Sequence, residues 1–210
     1  MPATTATTAT TATATTNTNA TNGATGTNTI NTTVGSPIGN LTLVADDGTL
    51  TGVYFPHHWY RPPLATFGRR SETGFGEAKR QLAEYFAGRR EHFDLPIDAR
   101  GDEFQRRVWD LICQIPYGQT VSYGDLARKL GSQVMAKDVG AAVGRNPLCV
   151  IVPCHRVVGK DGRLTGYAGG LVRKRFLLDL EKPAAPRPAT KPATARPATK
   201  PAAPRPVKLP

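Results

Sequence analysis

The chain has 210 residues and a formal net charge of +11, and the composition of both ends excludes a packed core there. Residues 1–29 are almost entirely Thr, Ala, Asn and Gly, and residues 183–210 are rich in Pro, Ala, Thr, Lys and Arg. Neither segment can bury enough apolar surface to offset the entropy of ordering it. We therefore predict a disordered leader over 1–29, a disordered basic tail over 183–210, and one or two small domains between them.

The positive charge is concentrated in the tail. Residues 182–210 contain seven Lys or Arg and no acid, so subtracting seven from +11 leaves +4 for the rest of the chain. A basic segment of this kind favours a polyanionic partner such as nucleic acid, although a solubilising linker is the alternative. The nine-residue repeat that starts at Arg187 and Arg196 predicts an extended, polyproline-like chain that would follow phosphates without reading sequence.

The number of cysteines and the hydropathy of the chain indicate the cellular compartment in which the protein works. The three cysteines, Cys113, Cys149 and Cys154, are too few and odd in number for a disulfide framework, which indicates a reducing compartment. The sequence has neither the roughly 18 consecutive apolar residues of a membrane span nor the basic and apolar regions of a signal peptide. We expect a cytoplasmic protein that does not contact a membrane.

Residues 30–98 have the pattern of a small α/β domain. Leu41 and Leu43 alternate with polar residues before the turn signal at 46–48, which predicts a hairpin or meander over 30–55. Residues 56–74, rich in Pro, Arg and Gly, indicate a loop. The apolar spacing over 75–87 predicts a helix that ends at Gly88, and residues 92–97 suggest one more short strand.

Residues 99–182 are predominantly helical in pattern. An apolar face runs from Phe104 to Ile115, Ser122 can cap a helix that ends at Gly131, and a further helix follows over 135–146. These two short helices match a helix-turn-helix. Close helix packing through the small residues at 140–142 explains the same pattern equally well.

The last predicted helix covers 171–180 and follows a glycine-rich loop over 159–170. Its apolar stripe comprises Leu171, Phe176, Leu177 and Leu180, and the pattern predicts that Arg173, Lys174 and Arg175 face elsewhere.

The sequence Pro-Cys-His-Arg at 153–156 carries the most specific chemistry. An unperturbed thiol is only about 3% thiolate at pH 7, and a neighbouring imidazole such as His155 can raise that fraction at Cys154. Taken alone, a Cys-His pair is more often a buried structural pair than a reactive one.

The surrounding motifs change this interpretation. "SPIG", "FQRRVW", "IPYGQTVSYGDLA", "VGAAVGRNP", "VIVPCHRVVG" and "TGYAGGLVRKRFLLDLE" resemble, in order and spacing, the methylated-DNA–protein-cysteine methyltransferases, or O6-alkylguanine-DNA alkyltransferases. The resemblance implies a ribonuclease H-like α/β N-terminal domain, with a small antiparallel sheet and a helix, over 30–98. It implies a helical active-site and DNA-binding domain with a winged-helix-like helix-turn-helix over 99–182.

The same resemblance implies DNA repair by direct reversal of damage. An alkyl group would pass irreversibly from O6-alkylguanine in double-stranded DNA to Cys154, after the base is flipped through the minor groove. The protein would be a single-turnover suicide enzyme that needs no cofactor. We expect a monomer, and cooperative binding along DNA stays open.

The resemblance assigns roles to individual residues. Cys154 would accept the alkyl group, His155 would take its proton through a water, Glu181 would hold the other nitrogen of His155, and Asn146 would brace the preceding turn. The expected base-binding residues are Tyr123, with its hydroxyl on guanine N3, Tyr167, Ala168, Lys174, and the carbonyls of Cys154 and Val157. The expected DNA contacts are Ser122, Lys137, Gly140, Ala142 and Arg145.

Three features depart from the family pattern or leave it open. Lys137 stands where the family usually has an arginine finger, which removes the planar guanidinium, and Asp138 beside it is unfavourable near DNA. Cys149 stands at the expected wall of the alkyl pocket, where it is interpreted as a bystander thiol. His57, His58 and His92 lack cysteine partners, so we predict surface histidines and no metal.

Two other functions are weighed against repair. A Cys-His hydrolase or transferase would leave the helix-turn-helix and the basic tail unexplained. A non-enzymatic DNA-binding regulator or damage sensor would have no need for Cys154, His155, Asn146 and Glu181, all of which this chain retains.

Overall fold

The computed structural model describes residues 28–182, so the predicted tail and nearly all of the predicted leader lie outside the described residues. The first strand begins at Thr29, which is the last residue of the predicted leader. Among the described residues, no helix is both long and apolar enough to cross a membrane. The predicted domain limits, 30–98 and 99–182, stay predictions.

The first half of the chain forms a small mixed sheet. Its strands are β1 (Thr29–Val34), β2 (Leu41–Asp46), β3 (Thr49–Tyr54) and β4 (Arg69–Arg70), in the order β3-β2-β1-β4. The antiparallel β2–β3 hairpin turns through Asp47 and Gly48, whose φ angles of 46° and 80° suit a tight turn that follows the strand twist. The two-residue β4 pairs parallel to β1 and makes the sheet mixed, which the loop-like composition of 56–74 did not indicate.

Helix α1 (Gly76–Phe86) packs its apolar side against this sheet. Leu82 and Tyr85 are fully buried in the same core as Leu41 and Leu43, as the spacing of apolar residues predicts. The strand expected at 92–97 is not formed, because that segment makes only an isolated bridge from Ile97 to Leu50.

The second half is built from helices, as predicted. They are α2 (Glu103–Cys113), α3 (Tyr123–Leu130), α4 (Ala136–Gly144) and α5 (Leu171–Leu180), with a two-stranded parallel pair of β5 (Val121–Ser122) and β6 (Val157–Val158). Ser122 caps α3 in a reciprocal capping box with Asp125, which explains why the helix begins there. Helices α3 and α4, joined through Gly131, form the predicted helix pair.

Helix α4 is held to α2 by a specific contact. The indole Nε1 of Trp109 donates to the carbonyl of Ala142 at 2.9 Å, and Val139 and Val143 pack on the same side. Asp138 accepts from the backbone N–H of Met135 at 3.1 Å and so satisfies the first turn of α4. This contact gives Asp138 a structural role, although a carboxylate is unfavourable near DNA.

The predicted orientation of α5 is wrong in part: Leu177 and Leu180 face the core as predicted, but three other residues do not. Leu171 and Phe176, assigned to its apolar stripe, are exposed, whereas Lys174, assigned to another face, is fully buried beside Leu177. The reason is that a lysine can be buried when its ammonium finds acceptors, and polar partners surround Lys174.

Candidate active site

The loop that carries Cys154 is attached to the edge of the N-terminal sheet. The backbone N–H of Val53 in β3 donates to the carbonyl of Pro147 at 2.8 Å, and Val53 accepts from Cys149 at 3.2 Å. The loop leads into a short 3-10 turn, Cys154–Arg156, that precedes β6. Cys154 is 2% exposed, so its thiol lies in the protein interior.

Asn146 braces this loop internally through two hydrogen bonds. Its Nδ2 donates to the carbonyl of Val152 at 2.9 Å, and its Oδ1 accepts from the N–H of Leu148 at 2.9 Å. Between them, the buried Val150 has a φ of 75°, in the left-handed region that a β-branched residue avoids. Such a conformation costs about 1–3 kcal/mol and persists only where surrounding contacts impose it.

His155 and Glu181 form a buried pair. His155 Nε2 lies 2.9 Å from Glu181 Oε1, and because an ionised carboxylate can only accept, Nε2 carries the hydrogen. The other ring nitrogen, Nδ1, has no hydrogen-bond partner among the described residues. Burial lowers the pKa of His155, so the ring is neutral near pH 7 and can accept a proton at Nδ1.

Glu181 is the centre of a larger network than the sequence indicated. Arg156 donates to it twice, at 2.8 and 2.9 Å, the Tyr85 hydroxyl donates at 2.7 Å, and the N–H of Gly118 donates at 3.2 Å. Burial raises the pKa of Glu181, but the hydrogen bonds from His155 and Arg156 outweigh it and hold the pKa well below its usual range. Glu181 therefore remains a carboxylate.

Sequence reasoning missed Arg156 and Tyr85. Tyr85 belongs to the apolar stripe of α1 and was therefore counted as core, whereas Arg156 had one usable signal. Arg156 directly follows the Cys-His pair in the sequence. If such an arginine is buried, it requires a nearby carboxylate as its partner.

The surroundings of Cys154 favour its thiolate. Its pKa is lowered by the neighbouring side chains of Cys149 and Asn146 and by the positive charge of Lys174, against burial, which raises it. These groups lie on two different parts of the chain, the 146–154 loop and α5. The arrangement can therefore produce a nucleophilic sulfur in a water-poor setting.

Lys174 joins the nucleophile to the glycine-rich loop. Its ammonium donates to the carbonyls of Val157 at 2.6 Å, Thr165 at 2.8 Å and Gly166 at 3.2 Å, and burial lowers its pKa to about 8. The Val157 carbonyl was assigned to the guanine amino group. It already accepts from Lys174, but its oxygen has a second lone pair.

A groove of about 970 Å³ opens beside this centre. It lies between α3, α4 and the loop that follows β6; its walls include Ser122, Tyr123, Lys137, Gly140, Lys160, Thr165 and Gly166. Tyr123 is half-buried and lies 5.6 Å, measured from its ring centroid, from the Lys174 ammonium. Tyr123 and Lys174 thus connect the groove to the region of Cys154.

The other residues predicted to contact the base or DNA do not line this groove. Tyr167 and Ala168 are buried, and the Tyr167 hydroxyl has no partner among the described residues. Ala142 was expected to meet DNA, but this is wrong for its side chain, which faces the core while its carbonyl binds Trp109. Arg145 is exposed and lies 4.5 Å from the ring centroid of Tyr60, outside the groove.

The histidines of the N-terminal half differ from one another. His57 and His92 are exposed, but His58 is buried, so its assignment to the surface is wrong. Over residues 28–182, no group of three or more His, Cys, Asp or Glu side chains is arranged to hold a metal ion.

Comparison with known proteins defines the class of this fold and site. Residues 30–99 match the ribonuclease-like domain of 6-O-methylguanine DNA methyltransferase, and residues 103–183 match the DNA-binding domain of the same family. The chain belongs to the 6-O-methylguanine DNA methyltransferase family.

The chain matches individual relatives over nearly their whole length. The chain is 48% identical to the methylated-DNA–protein-cysteine methyltransferase of Mycolicibacterium paratuberculosis over 75% of this chain and 95% of the relative. The Mycobacterium tuberculosis protein of the same name is 47% identical over the same shares. The solved structure of Mycobacterium tuberculosis OGT in complex with DNA is 45% identical, with a TM-score of 0.69, over 72% of this chain and 92% of that one.

Proposed function

We propose that this protein repairs DNA by moving the alkyl group of O6-alkylguanine onto Cys154. The observation that carries the proposal is the buried Cys154, whose pKa is lowered, beside an imidazole with a carboxylate on its Nε2 and with no partner for its Nδ1 within the described part of the chain. Membership of the family and a relative solved in complex with DNA support the same conclusion.

The proton and the alkyl group would move in opposite directions. Cys154 gives its proton to His155 Nδ1, directly or through a water, and Glu181 stabilises the resulting imidazolium. The sulfur then forms a bond to the alkyl carbon as the bond from that carbon to O6 breaks. The electron pair stays on the guanine, where the Tyr123 hydroxyl donates to N3 until the proton held by His155 reaches the base through water. Because a thioether does not hydrolyse, each molecule reacts once and needs no cofactor.

The target base must leave the duplex to reach this sulfur. Extrusion costs a few kcal/mol, and less for a damaged pair. We propose that the groove between α3 and α4 receives the base, with Ser122 and Gly140 close to the backbone and Lys137 inserted at the vacated position. Arg145, on the adjacent surface, would contact phosphate. We further propose a monomer that acts in the cytoplasm.

The test is mass spectrometry after mixing with duplex DNA that contains O6-methylguanine. We expect the peptide that holds residue 154 to gain one methylene in the unaltered protein. Cys154→Ala should abolish the gain while leaving DNA binding intact, and Cys113→Ala, which removes an exposed thiol, should leave transfer unchanged. Binding to the lesion without a mass change in the unaltered protein would identify a damage sensor instead.

A further inference from the structure

Tyr85 brings the N-terminal half of the chain into contact with the proton-transfer residues. It lies on α1, yet its hydroxyl donates to Glu181 Oε1 at 2.7 Å and lies 3.4 Å from His155 Nε2. All three side chains are buried. In such a setting a hydrogen bond to a carboxylate is electrostatically stronger than it would be in water. The proposed reaction uses His155 and Glu181 but assigns no task to Tyr85.

Glu181 Oε1 is the acceptor for several donors at once. His155 Nε2 lies 2.9 Å from it, the Tyr85 hydroxyl 2.7 Å and Arg156 Nη2 2.9 Å. A carboxylate oxygen offers about two lone pairs, so these donors compete for the same negative charge. The other oxygen, Oε2, accepts from Arg156 Nε and from the N–H of Gly118. Tyr85 therefore takes a share of the charge that would otherwise act on His155.

The hydroxyl of Tyr85 remains a donor near pH 7. Burial, together with the charge of Glu181, raises the pKa of Tyr85 far above its ordinary value, so the phenol keeps its hydrogen. Because His155 Nε2 carries a hydrogen of its own, this nitrogen cannot accept from Tyr85, and the carboxylate is the acceptor. A donor fixed at this point weakens the attraction between Glu181 and a protonated His155 ring.

The groups around His155 act on its ring in opposite directions. Burial lowers the pKa of His155, the hydrogen bond and charge of Glu181 raise it, and the charges of Arg156 and Lys174 lower it. Tyr85 is neutral, so replacing it changes the donors on Oε1 without changing any charge. The titratable and charged side chains of this network and its surroundings are Tyr85 of α1, Tyr117 after α2, Cys154 and Arg156 of the 3-10 turn, and Lys174 and Glu181 of α5 and its end.

We propose that Tyr85 is a positioning residue that acts through Glu181: by donating to Oε1 it limits the attraction of the carboxylate for the Nε2 hydrogen, and so keeps His155 neutral and able to accept the proton of Cys154 at Nδ1. This inference deepens the proposed function and rests on it. A ring that is already protonated cannot act as the base. Tyr85 keeps its own hydrogen throughout, and the only proton that moves to Nδ1 comes from Cys154.

The first experiment measures the protonation of His155 in the full chain without DNA. The Cε1 resonance of isotope-labelled histidine is titrated against pH by NMR in a Cys154→Ser background, where the thiol no longer titrates, and His155→Gln identifies the signal. Tyr85→Phe removes the hydroxyl but keeps the ring, whereas 3-fluorotyrosine in place of Tyr85 is a more acidic phenol and a stronger donor. Tyr117→Phe is the matched control, because its hydroxyl donates to the Leu180 carbonyl at 3.2 Å and not to Glu181.

The second experiment follows the rate of single-turnover methyl transfer from O6-methylguanine duplex against pH, with Cys154 intact. Tyr85→Phe should raise the His155 midpoint by about 0.5–1 unit, the size expected from the loss of one hydrogen bond. The acid limb of the rate should move to higher pH by the same amount, so that transfer is about three- to tenfold slower below the limb and unchanged above it. Fluorination should lower the midpoint, and Tyr117→Phe should leave it in place.

Thermal unfolding checks that each variant is folded. An unchanged or lowered midpoint in folded Tyr85→Phe, an equal shift in Tyr117→Phe, or a loss of rate by the same factor at every pH would overturn the proposal. Should Tyr85→Phe not fold, the fluorinated protein decides, and a midpoint that does not fall refutes the inference. The expected shifts in a protein that transfers no methyl group would refute the proposed function but leave the effect of Tyr85 on His155 standing.

Discussion

Replacing Glu181 by glutamine tests the buried network most directly. The substitution keeps the shape of the side chain but removes the charge that Arg156 contacts through two hydrogen bonds, and it disturbs the bonds from His155 and Tyr85. Removing one partner of a buried ion pair costs about 3–5 kcal/mol, because the other charge stays buried without compensation. At about 2–4 °C per kcal/mol for a protein of this size, the melting temperature should fall by roughly 6–20 °C.

Thermal unfolding and single-turnover methyl transfer are the two assays. Asp179→Asn is the matched control, because it makes the same chemical change two residues earlier in an exposed pair with Lys182, and such pairs contribute little. Because the pKa of folded Glu181 lies below the ordinary 4.5, its stabilisation is complete above that pH and is lost as the pH falls further. Equal melting temperatures for Glu181→Gln and Asp179→Asn would refute the reasoning.

Two predictions concern DNA binding. Removing residues 183–210 should weaken binding to undamaged duplex and reduce the slope of log affinity against log salt by about 0.9 for each lost phosphate contact; an unchanged slope, measured by fluorescence anisotropy, would mean that the tail is only a spacer. Lys137→Arg should maintain or increase the rate of methyl transfer from duplex DNA. A planar guanidinium can stack on the neighbouring bases and donate two hydrogen bonds side by side, whereas an ammonium cannot. A large loss of rate in single-turnover assays would show that Lys137 does not occupy the vacated position.

Local signals predicted much of the fold. Ser122 was identified as a helix cap because a small polar residue precedes a helical pattern, and its reciprocal bond with Asp125 confirms it. The turn at Asp47 and Gly48 was equally readable, since that residue pair suits positive φ angles. The motif around Cys154 directed attention to His155 and Glu181, which the structure brings together at 2.9 Å.

What could not be predicted depends on contacts between distant parts of the chain. Helical periodicity separates apolar from charged residues, so it could not predict that Lys174 is buried. Its ammonium donates hydrogen bonds to three backbone carbonyls, which lie outside α5. The same limit applies to Tyr85, whose hydroxyl meets Glu181 across 96 positions. The two-residue strand β4 has too little pattern to detect, and it forms only because β1 offers a free edge.

The attachment of the Cys154 loop to β3 has a consequence for attempts to shorten the protein. The backbone bonds from Val53 to Pro147 and Cys149, together with the bond from Tyr85, come from the first half of the chain. A fragment that began near residue 99 would keep every atom that reacts, yet its loop would have no strand to lie against and Glu181 would lose the hydrogen bond from Tyr85. The first half therefore supports the loop that holds the reactive thiol, and a minimal version of this protein must retain it.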